Sequence, residues 1–344
     1  MKRTGYLFEK ICSKENIRDS ILEASKNKRK RIEVRRIIDS LDFYVDQIHD
    51  LLINKRFKNS EPSIRTRFEK MQNKVRTISV LPFYPDHIIQ HAIIRVIAPL
   101  LKRGMYYYCS ANIPGRGEAH IRRKLKYILP HDIRNTKYCL KFDIKQFYPS
   151  ISTYLLKQKL RKIIKDEDAL WLLDTIIDLQ PRGLPLGSYC SQWLANFYLQ
   201  DLDHFIKEKL YAKYMFRYAD DIVILDSNKR KLKKMERIIE EYLFFEYLEV
   251  KSSWRIFEVN EKNAIDFLGY KFYRKKITIR KRIYKNIRRC ILRMRRKINC
   301  NKRVTSKEMR SLMSYYGYIK NTNSFYIRNH YLELLPIQQL KLIL

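Results

Sequence analysis

The chain is predicted to be an α+β protein on three observations. Its middle, residues 61–270, mixes short aromatic and β-branched runs with helical stretches. Two strand-like runs, Tyr214-Met215-Phe216 and Ile222-Val223-Ile224-Leu225, flank the acidic turn Tyr218-Ala219-Asp220-Asp221, which reads as a β-hairpin. Residues 1–60 and 271–344 instead read as basic and helical.

In residues 1–60, Ile17, Ile21 and Leu22 give an apolar stripe, and Lys26, Lys28, Arg29, Lys30 and Arg31 a positive cluster. That cluster is either a solvated face or a grip on nucleic acid. Lys70 and Arg76 then precede the apolar stretch Thr77-Ile78-Ser79-Val80-Leu81-Pro82. Asp86, His87, Gln90 and His91 fall on a helix, and both histidines read as structural. Pro114-Gly115-Arg116-Gly117 is a turn whose glycines let backbone amides come close to a phosphate. Tyr138–Ile144 reads as a half-buried strand, with Asp143 near its end and Pro149-Ser150 marking a stop. If this strand pairs with the hairpin, Asp143 comes opposite Asp220.

From Arg274 to Lys307 no acidic residue occurs. There Ile283, Ile287, Ile291, Met294 and Ile298 recur at the spacing of an amphipathic helix. Its other faces carry Lys285, Arg288, Arg289, Arg293, Arg295, Arg296 and Lys297. So dense a charge repels itself unless phosphates lie nearby.

The acids carry the chemistry. Adjacent carboxylates on a rigid turn repel each other, and a hard divalent cation such as Mg²⁺ relieves that cost because it takes oxygen ligands. With Asp143 added, two ions about 4 Å apart would stabilise both the attacking and the leaving oxygens of a phosphoryl transfer. The 344 residues hold 72 Lys plus Arg against 36 Asp plus Glu, a formal +36, which implies a polyanion partner. Interleaved with the cations are 25 Tyr and 16 Phe, which can stack on unpaired bases. No apolar run reaches the roughly 18 residues of a spanning helix, so no membrane partner is expected. The start, Met1 to Glu9, lacks the apolar core of a signal peptide. Six cysteines without a C-x-x-C pair read as reduced thiols in the cytoplasm and argue against zinc.

Taken in order, Asp143 with Phe147-Tyr148, Gly183-Leu184-Pro185-Leu186-Gly187 with Ser191-Gln192, Tyr218-Ala219-Asp220-Asp221, and Phe267-Leu268-Gly269-Tyr270 resemble successive motifs of reverse transcriptases. The resemblance runs from about Lys70 to the end. It implies a right-hand polymerase fold, with fingers and an antiparallel palm over residues 61–270 and a basic helical thumb over 271–344. Residues 1–60 would be an N-terminal basic helical segment. It also implies an RNA-directed DNA polymerase in which Asp143, Asp220 and Asp221 hold two Mg²⁺ ions. Lys70 and Arg76 would grip the triphosphate, Tyr148 would exclude a 2′-hydroxyl, and Leu186 and Gly187 would lie near the nascent base pair. Arg116, with Arg288, Arg289, Arg293 and Arg296 of the thumb, would hold nucleic acid.

The implied partners are an RNA template, an RNA–DNA duplex and deoxynucleoside triphosphates, with a protein partner or homo-oligomer left open. Retroviral and group II intron enzymes usually carry Gln where Leu186 stands. An aliphatic residue leaves apolar shape alone to judge the base pair, which is expected to lower fidelity. In this the chain resembles the diversity-generating and antiphage-defence groups of bacteria, which typically work with a dedicated non-coding RNA. Retron enzymes usually carry Val-Thr-Gly in the thumb, whereas Ser306 follows Val304-Thr305 here. Two rivals stand beside this reading. One is a non-catalytic RNA-binding or assembly subunit, which the intact acids oppose; the other is an RNA-dependent RNA polymerase, which Tyr148 opposes.

Overall fold

The computed structural model describes residues 3–69, 74–252 and 254–332. The N-terminal region forms α1 (Leu7–Cys12), α2 (Lys14–Ala24), α3 (Ile32–Asp39) and α4 (Leu41–Ile53). The hairpin of β1 (Ser63–Glu69) and β2 (Lys74–Val80) follows, then α5 (Ile88–Arg103) and α6 (Glu118–His131). β3 (Tyr138–Asp143) leads into α7 (Phe147–Ser150), α8 (Thr153–Arg161), α9 (Glu167–Ile177), α10 (Tyr189–Tyr198) and α11 (Gln200–His204). β4 (Tyr214–Tyr218) and β5 (Asp221–Asp226) flank the acidic tip, and α12 (Lys229–Phe245) and β6 (Arg255–Glu258) come next. β7 (Ile265–Phe267), β8 (Tyr270–Phe272) and β9 (Ile277–Ile279) precede α13 (Lys281–Asn299), α14 (Ser306–Lys320) and α15 (Phe325–Ile327).

One sheet has the order β4-β5-β3-β6, another the order β7-β8-β9. The predicted α+β class is therefore what the chain adopts. Among the described residues no helix is long and apolar enough to cross a membrane. The chain divides into two compact units. One comprises Met1–Gly117, Phe142–Ile222 and Lys233–Trp254; the other comprises Glu118–Lys141, Val223–Leu232 and Arg255–Leu344.

In the first unit, capping ties distant segments together. Asp166 accepts from Ala169 N at 3.0 Å at the start of α9, and also from Leu7 N and Phe8 N at the start of α1. One carboxylate thus satisfies orphan donors of two helices. Ile17 and Ile21 of α2 are fully buried, as their spacing predicts. The basic cluster is not helical throughout: α2 ends at Ala24, and Lys26–Arg31 form turns in which Asn27 takes a positive φ of 62°. Lys28 folds back to His87 Nε2 at 2.5 Å. His91 stacks on Tyr189 with ring centroids 3.9 Å apart and meets the His87 ring edge-on at 4.8 Å, so both rings take part in packing. Gln90 accepts from Tyr189 N at 2.7 Å and from Ser188 Oγ at 3.1 Å, which caps α10 from a neighbouring helix.

In the second unit, Leu268 and Gly269 both take positive φ, 55° and 83°, as a two-residue hairpin turn between β7 and β8 demands. A Cβ on Gly269 would meet Ile283 Cδ1 at 2.8 Å and the Tyr318 ring at 3.1 Å, so this turn lies against α13 and α14. Ile283, Ile287, Cys290, Ile291 and Met294 form the buried stripe of α13. Arg274 is buried and donates to the carbonyls of Leu129 and Val259 and to Thr136, joining the end of α6 to the strands.

Candidate active site

Asp143 closes β3 between two flanking segments. On one side Ile144 N donates to the Asp220 carbonyl at 3.2 Å, which fixes the hairpin tip beside it. On the other side Lys251 N donates to the Asp143 carbonyl at 2.9 Å, and Ile144 bridges Val250 in antiparallel register. That register puts Lys251 directly across from Asp143, and its ammonium pairs with the Asp143 carboxylate.

Ala219, at the tip, has a positive φ of 54°. For an L-residue with a Cβ this conformation costs about 1 kcal/mol, and it turns Asp220 toward Asp143. Burial, with the charge and hydrogen bond of Asp143 added, pushes the Asp220 carboxyl up to about 6. Two acids held this close share protons or take up a cation. Asp221 opens β5 and is half-buried. Among the described residues no group of three or more His, Cys, Asp or Glu side chains gathers closely enough to hold a metal. The expected set of three acids is thus drawn in as a close pair, Asp143 and Asp220, with Asp221 next in sequence. The pair suits a divalent cation, since the charge that Lys251 offsets at Asp143 is the charge a metal would offset.

Tyr148 stands on α7, five residues past Asp143. Burial pushes its hydroxyl up to about 12, Asp220 adds to this, and Arg217 and Arg76 oppose it. Tyr148 therefore lies within electrostatic reach of Asp220, Arg217 and Arg76. Leu184 N donates to the Tyr148 carbonyl at 2.8 Å, and Ser79 N donates to the Leu186 carbonyl at 2.7 Å. The loop is glycine-bound at both anchors. A Cβ on Gly183 (φ +72°) would lie 2.4 Å from Pro149 O, and one on Gly187 (φ +117°) would lie 2.3 Å from Ser79 O. The loop around Leu186 and Gly187 thus fastens the Tyr148 turn to β2, the strand that carries Arg76. Arg67 stands directly opposite Arg76 in the β1–β2 register, two like charges in an arrangement that suits an anionic ligand. Lys70 lies outside the described residues.

The arginines expected to hold nucleic acid fall into two classes. Arg116 donates to the carbonyls of Tyr106 and Cys109 at 2.8 and 3.1 Å, so it braces its own loop. Arg288, Arg289, Arg293 and Arg296 are exposed on α13, with Arg293 3.6 Å from Glu308 and Arg288 over the Tyr331 ring. Sequence reasoning missed Lys251 and the buried Arg217–Asp203 pair. Lys251 reaches Asp143 only through a register that no local pattern encodes. Arg217 left a trace, as a charge inside the strand run immediately before the acidic tip.

The sequence pattern of the reverse transcriptase (RNA-dependent DNA polymerase) family matches residues 65–272, more than half of the chain, and the chain belongs to that family. Its fold is accordingly the α+β polymerase fold. The retron Ec73 reverse transcriptase of Escherichia coli is 32% identical over 131 residues, covering 31% of this chain and 42% of that protein. The alignment thus spans less than half the length of that relative. Among solved structures, the telomerase of Candida albicans in complex with a TWJ fragment of telomeric RNA matches with a TM-score of 0.48 and 14% identity, over 66% of this chain and 46% of that one. A telomerase of Candida tropicalis truncated from its C-terminal domain matches with a TM-score of 0.47 and 13% identity, over 67% of this chain and 58% of that one.

Proposed function

We propose that this chain is a cytoplasmic RNA-directed DNA polymerase that copies a dedicated structured non-coding RNA from deoxynucleoside triphosphates. The observation that carries this reading is the Asp143–Asp220 pair, two half-buried carboxylates with Tyr148 beside them. Asp143 and Asp220, assisted by Asp221, would hold Mg²⁺, which supplies positive charge to the oxygens that exchange phosphorus. The chain's own groups do the rest. The planar fork of Arg76 takes phosphate oxygens in pairs. The Tyr148 ring fills the space a 2′-hydroxyl would need, which favours deoxynucleotides. The 183–187 loop holds that ring and the β2 strand in fixed relation. Arg288, Arg289, Arg293 and Arg296, in the segment we read as the thumb, grip the backbone of the RNA–DNA duplex.

Leu186 supports a place in bacterial antiphage defence or in a diversity-generating retroelement. The flanking genes separate the two: a variable-repeat target gene marks the second, and a lone non-coding RNA within a defence cluster marks the first. The direct test is primer extension on RNA with Mg²⁺. Asp220→Asn combined with Asp221→Asn is expected to bind RNA nearly as well as wild type and to incorporate nothing. Retained synthesis in that variant refutes the assignment.

A further inference from the structure

Directly before the acidic tip lies a buried ion pair that the chemistry above does not use. Arg217 of β4 and Asp203 of α11 are both 0% exposed. Nε and Nη2 of Arg217 each donate to an Asp203 oxygen at 2.7 Å. Nη1 donates to Asn196 Oδ1 at 3.1 Å and to the Ala219 carbonyl at 3.2 Å, and Nη2 donates to the Asn196 carbonyl at 3.2 Å. All five guanidinium donors are therefore used. The Arg217 backbone is pinned as well, with its N–H to the Tyr108 carbonyl and its carbonyl to Ser110 N, each at 3.1 Å.

Stability alone does not explain this pair. Removing two charges from water costs about as much as their attraction returns, and an apolar pair of similar volume generally folds as well or better. An apolar pair cannot, however, hold the Ala219 carbonyl. That carbonyl belongs to the strained residue at φ 54° whose next neighbour is Asp220. Asp220 must be held against a like-charged Asp143, so its backbone has to resist recoil. We infer that Arg217, clamped by Asp203 and Asn196, is a positioning residue: it fixes the Ala219 carbonyl and so sets where the Asp220 carboxylate stands relative to Asp143. The inference rests on the proposed polymerase activity.

The test replaces the pair by Arg217→Met with Asp203→Leu. The expected result is a Tm close to wild type, a KM for deoxynucleotide changed little, and a kcat lowered by roughly 10²-fold, the scale of an ångström of misplacement. Mn²⁺ binding to the nucleic-acid-free protein, read by electron paramagnetic resonance, is expected to weaken several-fold. Arg217→Lys keeps the charge with three donors in place of five and is expected to fall between the two. Wild-type kcat and Mn²⁺ affinity in the double variant would overturn the inference. If the double variant does not fold, Arg217→Lys decides: wild-type kcat and Mn²⁺ affinity overturn it, and losses in both at an unchanged Tm support it. Failure of wild type itself to make DNA would instead refute the polymerase reading, while the Mn²⁺ comparison would still judge Arg217.

Discussion

Asp220 is where burial and chemistry pull hardest against each other. Its carboxyl sits at about 6, well above the roughly 3.9 of a free aspartate. Between those two values the folded state binds more protons than the unfolded state, so the stability this group contributes falls as pH rises through the window. A divalent cation relieves the same penalty by binding the ionised form. Mg²⁺ is therefore expected to raise Tm measurably at pH 7.5 and much less at pH 5.5; an equal shift at both values would contradict this account. The acids themselves were legible in the sequence because two strand-like runs bracket them. Lys251 was not, since 108 positions separate it from Asp143 and only strand register joins them.

Among the elements, the 183–187 loop and α14 make opposite demands on side chains. Gly187→Ala would drive a Cβ into Ser79 O in a backbone region that L-residues avoid, at a cost of about 1–3 kcal/mol. The expected result is a lower Tm and, because β2 carries Arg76, a higher KM for deoxynucleotide. An unchanged KM would separate the loop from the action of β2. At the start of α14, Thr305 and Glu308 cap each other in a reciprocal box. Thr305→Ala is expected to cost about 1 kcal/mol in denaturant unfolding. Hydrogen bonds from Thr305 and the neighbouring Lys297 draw the Glu308 carboxyl down to about 2. Its contribution is thus full above about pH 4.3 and is lost as pH falls toward 2, so the Thr305→Ala deficit should shrink in acid. The helix over Ile283–Ile298 was legible because its stripe repeats locally. The turns at Lys26–Arg31 were not, since a run of cations says nothing of where α2 stops.

For the molecule as a whole, the formal charge of +36 decides how it meets its ligand. Binding to an RNA–DNA duplex is expected to weaken steeply with salt, each phosphate contact contributing about one unit to the logarithmic slope. Arg289→Gln with Arg296→Gln should reduce that slope by about 2 in a filter-binding titration, whatever the duplex sequence. An unaltered slope would remove α13 from the duplex-binding surface.

The lysine facing Asp143 bears on how the proposed metal centre would fill. A divalent ion arriving there would not settle onto a bare carboxylate; it would compete with a tethered ammonium for the same oxygen. Loading would then be a swap of one cation for another, and the affinity of the incoming ion would contain the work of letting the resident one go.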